Sequence, residues 1–222
     1  MSPRTRILDA AMLVFRRHGF RRSSIEQAAE AAGLTRQALY HHFKSKEALF
    51  RAVIVRIHED AIAAEAAAAN TAEKAGGGLA DILVAGISAR LRQFIASFDG
   101  SPHIEELFSE HLLQARDLYQ KYAELYAAQT AATIERVCRK QRLTLADGMT
   151  PPKLAQCVEM AINGVKSAHP RMQPVDAFVD ALSTMARMLV AGAVTRLPPP
   201  AAKSVAKKTV PKKTVPKKPA PK

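Results

Sequence analysis

Residues 35–43 read Thr-Arg-Gln-Ala-Leu-Tyr-His-His-Phe. On a helix that turns about 100° per residue, Arg36, Gln37, Tyr40 and His41 share one sector about 140° wide. Ala38, Leu39, His42 and Phe43 fall on the opposite side. The first set offers a guanidinium, an amide, a phenol and an imidazole, which together suit base edges and phosphates in a major groove. Arg36 fits guanine bidentately and Gln37 fits adenine, while Tyr40 and His41 suit phosphate oxygens. The opposite side is apolar except for His42, whose imidazole joins the candidate DNA contacts, as does Lys46 near the start of the next helix. Ser24 and Thr35, each at a helix start, would place backbone N–H groups where a phosphate can sit.

Such a face needs a frame, and the flanking residues supply one. A first helix is expected from about Pro3 to His18, with Ile7, Ala11, Val14 and Phe15 at helical spacing and Gly19 as its stop. Ser24 followed by Gln27 makes an S-x-x-Q capping box for a second helix. Gly33 suits the left-handed position that ends it, and Thr35 is a natural cap for the third. Two short helices joined by a tight glycine-containing turn make the helix-turn-helix pattern.

Gly19-Phe20, Ser23-Ser24-Ile25, Ala28, Ala31-Ala32-Gly33-Leu34-Thr35, Leu39-Tyr40 and His42-Phe43-Lys44-Ser45-Lys46-Glu47-Ala48-Leu49-Phe50 resemble the signature of the TetR/AcrR family of transcriptional regulators. The resemblance covers about the first fifty residues. It implies an all-helical homodimer, usually a repressor, whose carboxy-terminal domain binds a small-molecule effector and thereby changes the spacing of two reading heads on an operator. Many members carry Gly where this chain has Gln37, so the operator is not inherited from a relative.

Charge supports a polyanionic partner. The 222 residues carry 33 Lys+Arg against 20 Asp+Glu, a net +13. Residues 1–50 are net +5, residues 51–197 are neutral, and residues 198–222 hold eight Lys and no acid. That last stretch repeats Lys-Lys-Thr-Val-Pro and has little to bury, so it is expected to be a disordered basic tail. It keeps an alternative open: a nucleoid-associated architectural protein that binds DNA mainly through clustered lysines.

The expected division is therefore a helix-turn-helix head at 1–50, a helical ligand-binding and dimerisation domain at 51–197, and the tail at 198–222. Apolar residues make up 48 % of the chain, enough for a real core. The breaks at Gly19, Gly33, 76–78, 99–102, 147–152 and 169–174 separate helix-length runs without strand alternation, so the fold is expected to be all-α. These runs include 102–116 and 118–142. In the middle, Phe94, His103, Phe108, His111 and Tyr122 are candidate lining residues of an apolar effector pocket with a few polar anchors. Toward the end, Leu154, Val158, Ala161 and Val165, then Phe178, Leu182, Met185 and Leu189, make two apolar stripes suited to a four-helix contact across a two-fold axis.

Other chemistry is not indicated. The glycines at 76–78 lack a Gly-Lys-Ser/Thr ending, and no G-x-S-x-G, H-E-x-x-H or Cys-x-x-Cys occurs. His103, Glu106 and Glu110 share a helix face but read as solvated charges rather than metal ligands, so neither catalysis nor a cofactor or metal is expected. No run of about 18 apolar residues exists, the amino terminus lacks a signal-peptide layout, and Cys138 and Cys157 make no disulfide framework. A bacterial cytoplasmic protein near the nucleoid, without membrane contact, is the expectation.

Overall fold

The computed structural model describes residues 2–196. The expected tail at 198–222 lies outside them. Three short helices open the chain, and each starts on a hydroxyl cap. Helix α1 (Pro3–His18) begins with Ser2 Oγ accepting from the Thr5 amide at 3.1 Å. Helix α2 (Ile25–Ala31) has both halves of its capping box: Ser24 Oγ accepts from the Gln27 amide at 3.2 Å, and Gln27 Oε1 accepts from the Ser24 amide at 2.9 Å. Gly33 takes the positive φ of +65° that turns the chain. Thr35 Oγ1 then accepts from the Ala38 amide, starting α3 (Arg36–His42).

The rest is built on a long rod, α4 (Lys46–Lys74), at 29 residues about 43 Å in length. Five more helices follow: α5 (Leu79–Ala96), α6 (Ile104–Gln114), α7 (Arg116–Gln141), α8 (Pro151–Ala168) and α9 (Val175–Ala193). One segment departs from the all-helical reading. Strands β1 (Leu143–Leu145) and β2 (Val194–Arg196) pair antiparallel, with Thr144 opposite Thr195. Three-residue strands are too short to show alternation in the sequence. The expected helices at 102–116 and 118–142 are also re-bounded: Ala115 leaves helical geometry, so Arg116 opens α7, and Arg142 closes it at φ +53°.

Two apolar cores form along α4. The first gathers Ile7, Phe15, Phe20, Ile25, Leu39 and Phe50. Phe15 meets Phe50 edge-on with ring centres 5.2 Å apart, and Phe20 lies 4.8 Å from Phe50. This core does not stop at residue 50. Val53, Ile54 and Ile57 continue it, and Phe98 and Leu107 enter it from later in the chain. The expected head boundary therefore falls inside a helix. The second core joins α5, α7, α8 and α9 around Ile82, Ile87, Ile134, Val158 and Phe178.

The two expected dimer stripes also change. Leu154, Val158, Ala161 and Val165 are buried within the chain, as are Phe178 and Leu182. Of the expected stripes Met185 does face outward, and beside it the outward face carries Met160 and Gly164 on α8 and Met188 on α9, with Met160 65 % and Met188 68 % exposed.

Candidate nucleic-acid interface and effector cavity

Leu39 is wholly buried and fixes the rotation of α3. With that side chain inward, Arg36, Gln37, His41 and His42 are exposed and Tyr40 is half-buried against the first core. Thr35, at the helix start, is exposed too. His42, which the helical projection set on the packing side, thus faces solvent.

Arg36 is not idle. Its Nε lies 2.8 Å from Glu26 Oε1, and its guanidinium stands 5.4 Å from the centre of the Tyr40 ring. Both contacts hold the side chain extended along the face, and the exposed ion pair is weak enough to be exchanged for another acceptor.

Two candidate contacts have other tasks. Lys46 Nζ donates to the carbonyls of Phe20 and Arg21, at 3.0 and 3.3 Å, and sits 4.4 Å from the centre of the Phe20 ring. Two of its three donors hold the loop between α1 and α2, so it clamps that loop and has one donor left over. Ser24 is half-buried and its amide is closed by Gln27, so that amide has no capacity left for a phosphate.

The second assembly lies in the body. A cavity there has two lobes, of about 190 and 170 Å³, that share Phe94, Tyr119 and Lys166. Leu91, Tyr126 and Ile162 complete the wider lobe, and Phe108, His111 and Met172 the narrower one. Of the candidate lining residues, Phe94, Phe108 and His111 reach the cavity. Tyr122 does not: it is 3 % exposed and stacks on His58, ring centres 4.3 Å apart, behind the wall. His103 is corrected more fully, because it stands before α6 beside Arg22, with Nδ1 3.3 Å from the guanidinium, away from both lobes.

Residues without a sequence signal of their own complete the wall. Arg90, 3 % exposed, reaches Glu159 at 3.1 Å and Glu65 at 3.4 Å, with its guanidinium 4.2 Å from the centre of the Tyr126 ring. Burial pushes the Glu65 carboxyl up. The Tyr126 hydroxyl bonds to His58 Nδ1 at 2.7 Å, and His58 Nε2 lies 3.4 Å from His111 Nε2. Burial pushes His58 down to about 3 and His111 to about 4, so both imidazoles are neutral at pH 7. Lys166 is pushed below its ordinary value by burial. Glu159, Ile162, Asn163 and Lys166 do share one face of α8, a spacing that could have marked this wall from the sequence. A larger groove, of about 290 Å³, lies open beside α1, but the Arg56–Asp9 ion pair borders it and it lacks convergent buried polar groups.

Comparison with known proteins places the first part of the chain. Residues 7–53 match the family described as bacterial regulatory proteins, tetR family. The head is a TetR-family domain. Over 60 residues the chain is 43 % identical to the HTH-type transcriptional regulator UidR of Escherichia coli, which covers 27 % of this chain and 31 % of UidR. The matched stretch thus spans less than a third of UidR. A longer match reaches the HTH-type transcriptional repressor Rv1474c of Mycobacterium tuberculosis, 27 % identical over 166 residues, 73 % of this chain and 79 % of that protein. Among solved structures, the fold is similar to SmeT, the repressor of the Stenotrophomonas maltophilia multidrug efflux pump SmeDEF. SmeT is 22 % identical, with a TM-score of 0.58 over 86 % of this chain and 90 % of SmeT. A SmeT–triclosan complex is 21 % identical, with a TM-score of 0.58 over 88 % of this chain and 93 % of that one.

One helix touches both the TetR head and the cavity. Phe108 and His111 of α6 line the narrower lobe, while its Glu106 Oε1 accepts from the Arg21 amide at 2.8 Å. Glu110 Oε1 pairs with Arg21 Nε at 2.9 Å, and Gln114 Nε2 donates to Glu110 Oε2. These two acids, expected as solvated charges, are instead turned to the loop between α1 and α2, and Glu110 is buried there at 4 % exposure. Gly19 in that loop has φ +76°, and an added Cβ would lie 2.5 Å from the Glu106 carboxylate. At the far end of α6, Arg51 grips Asp117 through two bonds, of 2.7 and 2.6 Å, and holds its carboxyl down at about 2.

Proposed function

We propose that this protein is a sequence-specific DNA-binding transcriptional regulator, a homodimeric repressor released from its operator when a small molecule enters the body cavity. The exposed face of α3, set by a fully buried Leu39 on a TetR-family head, carries this reading. Arg36 and Gln37 act as base readers, with Thr35, Tyr40, His41 and His42 toward the phosphates. The regulator and repressor names of UidR and Rv1474c support it, as does triclosan bound to SmeT. Release follows from α6: a ligand that displaces Phe108 or His111 pulls on Glu106 and Glu110, and through them on the head. The outward methionines of α8 and α9 serve as the dimer face. The setting is the bacterial cytoplasm.

Two recognition helices in a dimer meet half-sites about 34–36 Å apart or a multiple of that, so footprinting beside the protein's own gene is expected to show a near-palindrome. Native mass measurement is expected to give twice the chain mass. Equal affinity for scrambled DNA at moderate salt would reject the reading. Arg36→Ala is expected to cost about 1–3 kcal/mol of operator affinity and to relax preference at one base pair. Unchanged base preference by selection from a random library would take Arg36 off the reading face. The eight lysines of 198–222 favour the architectural alternative. Deleting them keeps specific binding under the first reading while the salt slope falls by up to ~7, and abolishes binding under the second.

A further inference from the structure

We propose that the body cavity takes a small organic acid, an apolar aryl or acyl body with one carboxylate, and that the Lys166 ammonium receives the carboxylate. The assignment rests on the reading of this cavity as the effector site and names the effector's chemistry.

Position comes first. Lys166 borders both lobes, together with Phe94 and Tyr119, so a group bound at its ammonium can send its body into either. Charge comes second. In the wider lobe the ionisable lining groups are Arg90, Glu159 and Lys166, and Arg90 already reaches both Glu159 and Glu65. In the narrower lobe Lys166 stands beside a neutral His111. Glu159 attracts Lys166 through space, but Lys166 forms no ion pair or hydrogen bond of its own among the described residues. Lys166 is therefore the charged group of the lining that has no direct ion pair.

Lys166 is half-buried, its surroundings lower its proton affinity, and its ammonium has no bonded partner among the described residues, so it is open to an acceptor that enters the cavity. A carboxylate supplies the missing charge and a short charge-assisted bond. A cationic ligand would meet the ammonium as a like charge, and a neutral one would leave it without a direct ion pair. Size comes third. A lobe of about 190 Å³ fits one ring or a short chain, since a dry apolar cavity of about 150 Å³ binds benzene. Phe94, Tyr119 and Phe108 offer ring faces to such a body.

The test titrates the full chain calorimetrically with 3-phenylpropionate and octanoate, and with 3-phenylpropanamide and 3-phenylpropylamine as neutral and cationic matches. At least one acid is expected to bind at least tenfold more tightly than the amide, and the amine not to bind. Lys166→Met is expected to weaken the acid at least tenfold and leave the amide unchanged, while Lys166→Arg keeps the acid within a fewfold. The acid–amide comparison on the native chain stands even if a variant fails to fold. Equal binding of acid and amide, tighter binding of the amine, or no acid bound at millimolar concentration would overturn the assignment. Operator binding is followed in the same samples. Acid binding without operator release rejects the regulatory reading alone, and operator release by the amide but by neither acid rejects the ligand class alone.

Discussion

Arg90→Met is expected to lower the unfolding free energy by about 3–5 kcal/mol, because it strands two carboxylates that share one buried guanidinium. Methionine fills much the same volume, so packing is not the main loss. Glu65, already pushed up by burial, would lose the cation that opposes the shift. For a chain of this size the change corresponds to roughly 6–20 °C in Tm. The check is a thermal melt of the native chain, of Arg90→Met, and of Arg90→Met with Glu65→Gln. The double variant is expected to recover part of the loss by removing one stranded charge. Equal melts for the native chain and Arg90→Met would show that the buried triad contributes nothing.

Stability is also expected to fall steeply as pH drops from 6.5 to 5. The unfolded chain titrates its histidines near 6.5, whereas in the folded chain His58 is held down at about 3 and His111 at about 4. Between those values the unfolded state binds more protons, so stability is full above about 6.5 and is lost as pH falls toward the folded values. At pH 5 the loss amounts to about 2 kcal/mol for each imidazole. Carboxylates such as Asp117, held at about 2 in the fold, enter only at lower pH, whereas Glu65, pushed up by burial, binds its proton more readily in the folded chain and offsets part of the loss. Urea midpoints at pH 7.5 and pH 5 measure the effect, and a variant with both His58→Gln and His111→Gln is expected to lose the fall in stability toward pH 5. A native chain with equal midpoints at both values would mean that the imidazoles are not buried as neutral groups.

Local signals made the head legible. Ser24 with Gln27, Gly33, and Thr35 each act within four residues, so their types alone state where helices begin and turn. The face of α3 follows from one buried leucine. Lys46 was not legible in the same way, because its partners are carbonyls 25 and 26 residues earlier. The cavity was legible only in part. Aromatic clustering pointed to Phe94, Phe108 and His111, but His103 and Tyr122 share that composition and lie elsewhere. What decides lining is the crossing of α5, α6, α7 and α8; the shared face of Glu159, Ile162, Asn163 and Lys166 on α8 marks a mixed polar and apolar side but does not say which helices cross it. Arg90 and Lys166 were passed over for the same reason: a cation amid apolar residues on a single helix looks solvated until its neighbours are known. The apolar stripe of α8 misled in the opposite sense, since its regular spacing marks a buried side without saying whether the cover is its own chain or a second copy.

The intrusion of Phe98 and Leu107 into the first core has a practical consequence. This amino-terminal module is not a portable cassette. A chimera that grafts residues 1–50 onto another protein's carboxy-terminal half inherits a socket without its plugs, and exchange between relatives should succeed only where those two distant side chains, or others of the same shape, travel with the graft.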